Sequence, residues 1–359
     1  MTSFNRKMPG SRRSFLKGTG AAMVGLTLLP RFSLAEEEKK LNFYNWDTYI
    51  GETTLADFNT ATGIEVKMDL YADNDELFAK LKEGNPGYDV IVPTNDYVER
   101  MILANMLEEL DHSKIPNMAN IDKPFQDAAF DPGRKHSIPY MWGTLGIGYR
   151  KSKVNGAVDS WNAVYAADDM AGRVSLLGDA QNVIGCALKL LGYSFNSVNP
   201  DEIKKAEELI IAHKKDVKVF APDNGQDLLA SGEVDLAQEW NGDILQVMGE
   251  DDDLAYVVPT EGSLLWQDCM AIPTKAPHPE NAHKFLNFIL DAKVGAAIAD
   301  FIQYATPNAA ARKLMSDDYN NNPAIFPPEV TIERCEPLVY IGEDGQRLYS
   351  EAWTRINAA

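Results

Sequence analysis

Short strand-like segments alternate with amphipathic helical segments along most of this chain, and this alternation constrains its fold more than any other feature. Between residues 41 and 104, a two-residue alternation of apolar side chains gives way three times to a 3.6-residue periodicity, with Gly or Pro between the segments. The same mixture returns between residues 174 and 301. This order of elements predicts an α/β fold built from layers of helices and sheet.

The length of the chain predicts two domains. Of its 359 residues, about 324 follow the targeting segment described below, more than one hydrophobic core usually serves. Two extended segments, residues 138–149 and 264–273, are candidates for crossings between domains. The first is rich in glycine, which supplies backbone freedom at a hinge. The pattern alone is equally compatible with two ordinary core strands.

Residues 1–35 have the features of a targeting signal. Ser11–Lys17 reads S-R-R-S-F-L-K and matches the twin-arginine pattern S-R-R-x-F-L-K. The apolar stretch Gly18–Leu29 has 12 residues, fewer than the ~20 of a membrane-spanning helix. Ser33-Leu34-Ala35 then provides a small-x-small cleavage site. We therefore expect a twin-arginine signal peptide that is cleaved near Ala35, and export to the periplasm by the twin-arginine translocation machinery.

The chain is strongly acidic. Its formal net charge is −19, and loss of the six basic residues in the signal leaves 28 basic against 53 acidic residues, a net charge of −25. Such a balance argues against nucleic acid or anionic lipid as a partner, because both require basic surface. It is compatible with a cationic ligand, but an acidic surface that keeps an exported protein soluble explains it equally well.

The sequence offers little for catalysis. The five histidines are scattered, and no H-E-x-x-H, G-x-S-x-G or P-loop motif occurs. We therefore predict no enzyme activity, no metal and no cofactor. The three cysteines, Cys186, Cys269 and Cys335, are far apart and odd in number, so we expect buried free thiols. A periplasmic enzyme acting on amines is the alternative from another class, because twin-arginine export often serves proteins that carry cofactors.

Aromatic and acidic residues recur together at the ends of predicted strands. In an open α/β sheet, ligands bind beyond the carboxyl ends of strands, so these residues are candidates for one cleft. Carboxylates hold an ammonium group, while Trp and Tyr faces attract the same cation and pack against methylene groups. Several of the aspartates precede predicted helices, where helix capping is the alternative role. The candidates for ligand binding are Trp46, Asp47, Tyr49, Thr94, Asp96, Asp179, Trp240, Asp243, Trp266, Asp268 and Tyr304.

Six motifs give the chain a specific family resemblance. They are Phe43-Tyr44-Asn45-Trp46-x-x-Tyr49, Tyr88–Thr94, Ile138–Gly143, Trp240-Asn241-Gly242-Asp243, Trp266-x-Asp268-x-x-Ala271-Ile272-Pro273 and Tyr304–Arg312. At these positions the chain closely resembles the periplasmic putrescine/spermidine-binding proteins of ABC importers. The similarity extends from about Leu41 to the C-terminus.

The resemblance implies a two-lobed periplasmic binding protein fold, with two mixed-sheet α/β lobes joined by crossover strands. Lobe 1 would comprise residues 36–143 and 270–306, and lobe 2 residues 144–269 and 307–359. It further implies a polyamine between the lobes, delivery to the membrane permease of an ABC transporter, and no catalysis. We expect the protein to act as a monomer.

The resemblance also assigns roles to individual residues. Trp46, Tyr49, Trp240, Trp266 and Tyr304 match the family's aromatic box. Asp268 matches the carboxylate that grips an amine throughout the family, and Thr94 matches a small hydroxyl residue.

Three acidic positions and one departure leave the length of the ligand open. Asp243 matches an acidic residue of putrescine-type members, whereas Asp179 matches one of spermidine-type members. Asn182 stands where a second acidic residue is usual, and Asp96 stands where spermidine-type proteins have an aromatic. Another cation, such as agmatine or an opine-like amino compound, is therefore the alternative within the class. Asp47 and Asp96 are the weaker candidates of the set.

Overall fold

The computed structural model describes residues 37–166 and 170–359, and strands alternate with helices along much of this part of the chain. The predicted signal peptide, residues 1–35, lies outside the described residues. The strands are β1 (Lys40–Asn45), β2 (Glu65–Leu70), β3 (Val90–Ile91), β4 (Ser137–Arg150), β5 (Val174–Leu177), β6 (Val217–Ala221), β7 (Leu236–Trp240), β8 (Leu254–Val257), β9 (Leu264–Ala271) and β10 (Glu336–Pro337). The helices are α1 (Thr54–Thr62), α2 (Asn74–Lys82), α3 (Asn95–Leu103), α4 (Asn162–Tyr165), α5 (Ala180–Leu190), α6 (Pro200–Ala212), α7 (Gly225–Ala230), α8 (Asn241–Met248), α9 (Pro279–Ile289), α10 (Ala292–Ile302), α11 (Ala309–Arg312), α12 (Asp317–Asn321), α13 (Glu329–Ile332) and α14 (Gly342–Ala358).

The strands follow the order β2-β1-β3-β9-β4-β7-β5-β6, with β10 beside β9 and β8 beside β4. In the first half, β1 is parallel to β2 and β3, and β3 is antiparallel to β9. In the second half, β5 is parallel to β6 and β7, and β7 is antiparallel to β4. Each half is therefore a mixed α/β sheet, as predicted.

Strand β4 belongs to both halves. Its residues from Ser137 to Thr144 pair with β9, and its residues from Leu145 to Arg150 pair with β7 and β8. The extended segment 138–149 is thus a crossover strand that is also part of the core. Glycine at Gly143 and Gly146 leaves room for the side chains of Trp266 and Tyr256, which a Cβ atom would overlap. The residue limits of the lobes stay a prediction.

The alternation along β1 shows how the sheet is covered on both faces. Successive side chains of a strand point to opposite faces. Phe43 packs on one face with its ring centroid 5.2 Å from that of Phe285 in α9. Tyr44 lies on the other face and stacks on Tyr88 at 4.3 Å. Phe43 and Tyr44 are almost completely buried, so a core covers each face of the sheet.

Several helices of the second half carried no clear sequence signal. The longest, α14, packs against α5 and α6 through Tyr349, Ala352 and Ile356. Its first turn contains Gly342, Glu343 and Asp344. Because these residues are polar or lack a side chain, the apolar residues that follow at helical spacing are not recognisable as a helix from the sequence. Helices α7 and α8 are short and follow strands directly.

The cysteines agree with their prediction, since Cys186, Cys269 and Cys335 are all free and buried. None of the helices in residues 37–166 and 170–359 combines the length and the apolar character needed to cross a membrane.

Candidate ligand-binding cavity

All eleven candidate residues line one cavity of about 690 Å³. They come from separate segments, mostly at the ends of strands, as the α/β reasoning predicted. Trp46, Asp47 and Tyr49 follow β1, and Thr94 and Asp96 lie at the start of α3. The structure thus brings the predicted residues together in one cavity.

The second half contributes its residues in the same way. Asp179 precedes α5, Trp240 ends β7, and Asp243 lies in the first turn of α8. Trp266 and Asp268 are two residues apart on β9, so both side chains point to the same face of the sheet. Tyr304 follows α10.

Four aromatic rings form a connected group in the cavity. The ring of Trp266 lies 5.9 Å from that of Trp240 and 5.2 Å from that of Tyr304. Tyr304 in turn lies 5.2 Å from Tyr49 at 87°. These edge-to-face contacts are favourable for aromatic pairs and hold the rings in place. Trp46 is fixed separately, because its Nε1 donates a hydrogen bond to the carbonyl oxygen of Val92 at 2.9 Å.

Asp268 lies beside this aromatic group, next to Tyr49. Its Oδ1 accepts a hydrogen bond of 2.8 Å from the Thr94 hydroxyl, and Asn74 Nδ2 donates to that hydroxyl at 2.8 Å. Only 7% of Asp268 is exposed. This burial raises the pKa of Asp268 to about 7, although the hydrogen bond from Thr94 opposes the shift.

Asp96 and Asp179 form a pair at another part of the cavity. Asp179 caps α5, since Asn182 N donates to its Oδ1 at 2.7 Å, so the capping role and a place in the cavity coincide. Loss of contact with bulk water raises the pKa of Asp179 to about 6. Burial, followed by the charge of Asp179, raises the pKa of Asp96 to about 7. Asp96 Oδ1 has no hydrogen-bond partner among the described residues.

Asp243 lies in a second acidic group, with Asp223 and Glu239. One carboxylate oxygen of each lies within 4.8 Å of the others. Burial raises the pKa of Asp243 to about 7, and burial together with Asp243 raises that of Glu239 to about 8. The same two causes hold the pKa of Asp223 well above its usual value. In the described residues, this group is the one whose carboxylates are close enough together to hold a metal ion.

Sequence reasoning missed Asp223 and Glu239. Asp223 follows β6 just as Asp179 follows β5, so its position after a strand was a usable signal. Glu239 lies inside β7, and nothing in its sequence neighbourhood distinguishes it from an ordinary strand residue. Asp73 and Asp75, at the start of α2, also line the cavity and were missed.

The basic residues that line the cavity are Arg100 and Arg347. Arg100 lies 3.5 Å from Asp75 and 3.4 Å from Glu343, with its guanidinium 4.0 Å above the ring of Phe78. Arg347 pairs with Asp344 at 3.1 Å on α14. Neither forms an ion pair with the buried aspartates. Among the described residues, the cavity therefore combines aromatic walls with buried aspartates that have no cationic partner, an arrangement suited to a ligand carrying several positive charges.

The two-part mixed α/β fold, with a cavity lined from both halves and strand β4 shared between them, defines the class of two-lobed solute-binding proteins. The chain belongs to the family of bacterial extracellular solute-binding proteins, whose model matches residues 53–327.

Named relatives cover almost the whole chain. The putrescine-binding periplasmic protein SpuD of Pseudomonas aeruginosa is 35% identical over 96% of this chain and 99% of its own length. The spermidine/putrescine-binding periplasmic protein of Escherichia coli is 34% identical over 96% of this chain and 97% of its own length. The solved structure of the spermidine/putrescine ABC transporter substrate-binding protein PotD of Streptococcus pneumoniae is 30% identical, with a TM-score of 0.77 over 89% of this chain and 99% of that one.

Proposed function

We propose that this protein binds a polyamine in the cavity and delivers it to the membrane permease of an ABC importer. The observation that carries the proposal is the set of carboxylates buried beside aromatic rings without a cationic partner. The polyamine ligands named for the relatives support the same conclusion.

The positions of the carboxylates suit a linear cation. The charge of Asp268 contributes to the raised pKa of Asp96, and the charge of Asp243 contributes to that of Asp268. Asp268 is therefore within electrostatic reach of acidic residues in two different parts of the cavity. A chain with an amine at each end would satisfy two such positions, while Trp266 and Tyr304 would pack on the methylenes between them.

The expected affinity follows from a small number of contacts. Each charge-assisted hydrogen bond contributes about 1.5–3 kcal/mol net, and each cation–aromatic contact about 0.5–2 kcal/mol. After the cost of association, a total of ~8 kcal/mol corresponds to a micromolar dissociation constant.

Ligand binding is proposed to favour closure of the two halves. Thr94 follows β3 in the first half, whereas Asp243 belongs to α8 in the second. A ligand that contacts residues of both halves stabilises the closed arrangement over the open one, and β4 and β9 are the strands on which the hinge motion would turn.

Residues 1–35 are proposed to be a twin-arginine signal that directs the protein to the periplasm. The relatives named above as periplasmic support this location, and the S-R-R-S-F-L-K motif supports the route. We further propose that the protein works as a monomer.

Calorimetric titration of the chain that follows Ala35 tests the function directly. Putrescine, cadaverine, spermidine, spermine and agmatine would be titrated in turn, and we expect at least one dissociation constant in the micromolar range or below. Affinity for none of them below ~100 µM would overturn the polyamine proposal. Binding of agmatine alone would favour the alternative cation, and turnover of a bound amine would favour the enzyme.

A further inference from the structure

A group of three carboxylates lies beside the aromatic residues of the cavity. Asp223 follows β6, Glu239 lies in β7 and Asp243 lies in α8. Asp223 and Asp243 line the cavity itself. We call these three residues the acidic subsite.

Glu239 is a carboxylate with no solvent exposure. Oε1 accepts a hydrogen bond of 3.0 Å from the backbone N–H of Trp240. Oε2 lies beside the backbone N–H of Gly225, which lowers the pKa of Glu239, but no described residue donates it a hydrogen bond of regular geometry. A buried acceptor without a partner is costly, so this oxygen indicates a group that the subsite is built to receive.

No lysine, arginine or histidine compensates the subsite. Among the ion pairs of residues 37–166 and 170–359, none involves Asp223, Glu239 or Asp243. The nearby side chain of Gln246 approaches Asp243 Oδ1 at 3.5 Å, a long contact from an uncharged amide. Three carboxylates so close together cannot all be ionised without a cation between them.

The spacing of the carboxylate oxygens fits a primary ammonium group. An R–NH3⁺ group has three N–H donors in tetrahedral directions, so acceptors about 2.8 Å from the nitrogen lie about 4.6 Å from one another. The oxygens of the acidic subsite lie within 4.8 Å of one another. This limit is compatible with one ammonium group placed between the three residues.

A divalent metal ion is the competing occupant. Ca²⁺ takes six to eight oxygen ligands, and Mg²⁺ requires an octahedral set. Here the adjoining side chains are Trp240, whose indole N–H faces Asp223, and Tyr304, whose hydroxyl faces Asp243. Neither side chain adds a carboxylate or carbonyl oxygen to the group, so the surroundings suit an ammonium group, which needs three acceptors, better than a metal ion that needs six or more ligands.

We infer that Asp223, Glu239 and Asp243 bind one terminal ammonium group of a polyamine with three or more amines, so that the cavity prefers triamines to diamines. The inference rests on the proposed function. A triamine would place its remaining amines near Asp268 and near the Asp96–Asp179 pair. A diamine carries only two ammonium groups, so it would leave one of these three buried acidic positions without a cationic partner.

The test compares spermidine with putrescine in calorimetric titrations of the protein after Ala35. The variants are Glu239→Gln and Asp223→Asn. Asp227→Asn is the matched control, because Asp227 is exposed on α7 outside the cavity lining, yet its charge also raises the pKa of Glu239. We expect the unaltered protein to bind spermidine at least ~10-fold more tightly than putrescine, and each subsite variant to reduce this ratio at least ~5-fold. Asp227→Asn should keep the ratio.

Proton release provides a readout that a purely structural role would not change. Titrations near pH 7 in buffers with different ionisation enthalpies give the number of protons released per ligand bound. Spermidine should release more protons than putrescine from the unaltered protein, and Glu239→Gln should reduce the difference. This comparison stays informative if a variant loses some stability, provided that it binds either ligand.

Each outcome decides between defined alternatives. Equal losses of spermidine and putrescine affinity in both variants, or no loss in either, would overturn the acidic subsite while leaving polyamine binding intact. Displacement of spermidine by CaCl2, restored by EDTA and absent in Glu239→Gln, would assign the three carboxylates to a metal. If the unaltered protein binds no polyamine at all, the proposed function fails and the inference fails with it.

Discussion

The hydroxyl of Thr94 donates a hydrogen bond of 2.8 Å to Oδ1 of Asp268, although the two residues are 174 positions apart. A β-bridge also joins the backbones of the two residues. The buried carboxylate is therefore held in a fixed orientation before any ligand arrives. Such preorganisation lowers the cost of ordering side chains on binding.

Asp268→Asn should weaken polyamine binding at least tenfold, about 1.4 kcal/mol, because it removes the central negative charge and keeps the size of the side chain. Thr94→Val should have a smaller effect, since it removes one hydrogen bond to Asp268 and keeps the charge of that carboxylate. Titration calorimetry measures both. Asp252→Asn serves as the control, because Asp252 is exposed and lies outside the cavity lining. Unchanged affinity in Asp268→Asn would return Asp268 to a structural role.

Polyamine affinity should rise with pH between pH 5.5 and pH 8. The pKa values of Asp179 (about 6), Asp96, Asp243 and Asp268 (about 7) and Glu239 (about 8) are raised. These groups therefore hold protons at low pH that the ligand must displace. The ligand amines stay charged over this range, since an alkylammonium group such as that of lysine has a pKa of about 10.4. A series of titrations at 150 mM salt gives the profile, and an affinity that falls with pH would contradict the assignment of these carboxylates to the ligand.

The raised pKa values of these carboxyl groups make the ligand-free protein more stable at pH 5 than at pH 8. A carboxyl group with a raised pKa in the folded state binds more protons when folded than when unfolded, from about pH 4 up to its folded pKa. Its contribution to stability is therefore complete below pH 4, decreases steadily as the pH rises above 4, and is fully lost once the pH exceeds the folded pKa of about 6 to 8. Thermal unfolding at several pH values measures this trend.

Asp243→Asn supplies the comparison for the stability trend. This substitution removes one of the shifted groups, so the decrease in stability between pH 5 and pH 8 should become smaller than in the unaltered protein. Asp252→Asn should leave the decrease unchanged. An identical profile for Asp243→Asn and the unaltered protein would show that burial of Asp243 has no effect on its ionisation.

Substitution of two different tryptophans should change ligand affinity and folding stability separately. Trp240 lines the cavity and is partly exposed there, so Trp240→Leu should reduce polyamine affinity while changing the free energy of unfolding by only about 1 kcal/mol. Trp161 is fully buried outside the cavity lining, and its Nε1 donates to the carbonyl oxygen of Gly262 at 2.9 Å. Trp161→Leu should cost about 3 kcal/mol of stability and leave affinity unchanged wherever the protein is folded. Urea unfolding and calorimetry measure the two effects, and a reversed pattern would remove Trp240 from the ligand site.

Much of the cavity was predictable because its residues lie at the ends of regular elements. Trp266 and Asp268 are two residues apart on a strand, so the sequence alone places them on one face. Asp179 was predicted in two roles, as a helix cap and as a ligand group; the structure shows the cap and places the residue in the cavity lining, and its ligand role stays a prediction.

The acidic subsite was not predictable, because it depends on contacts between distant segments. Glu239 becomes significant only when Asp223 and Asp243 are brought within 4.8 Å of it. Local periodicity does not contain that information. The same holds for α14, whose apolar face is evident only from its packing against α5 and α6.

The three buried thiols have a consequence for where the protein acquires its structure. Since Cys186, Cys269 and Cys335 are free, the fold contains no covalent cross-link that must form in an oxidising compartment. The chain can therefore complete its folding in a reducing compartment. The twin-arginine route proposed for residues 1–35, which carries folded proteins, would then require no oxidative step after export.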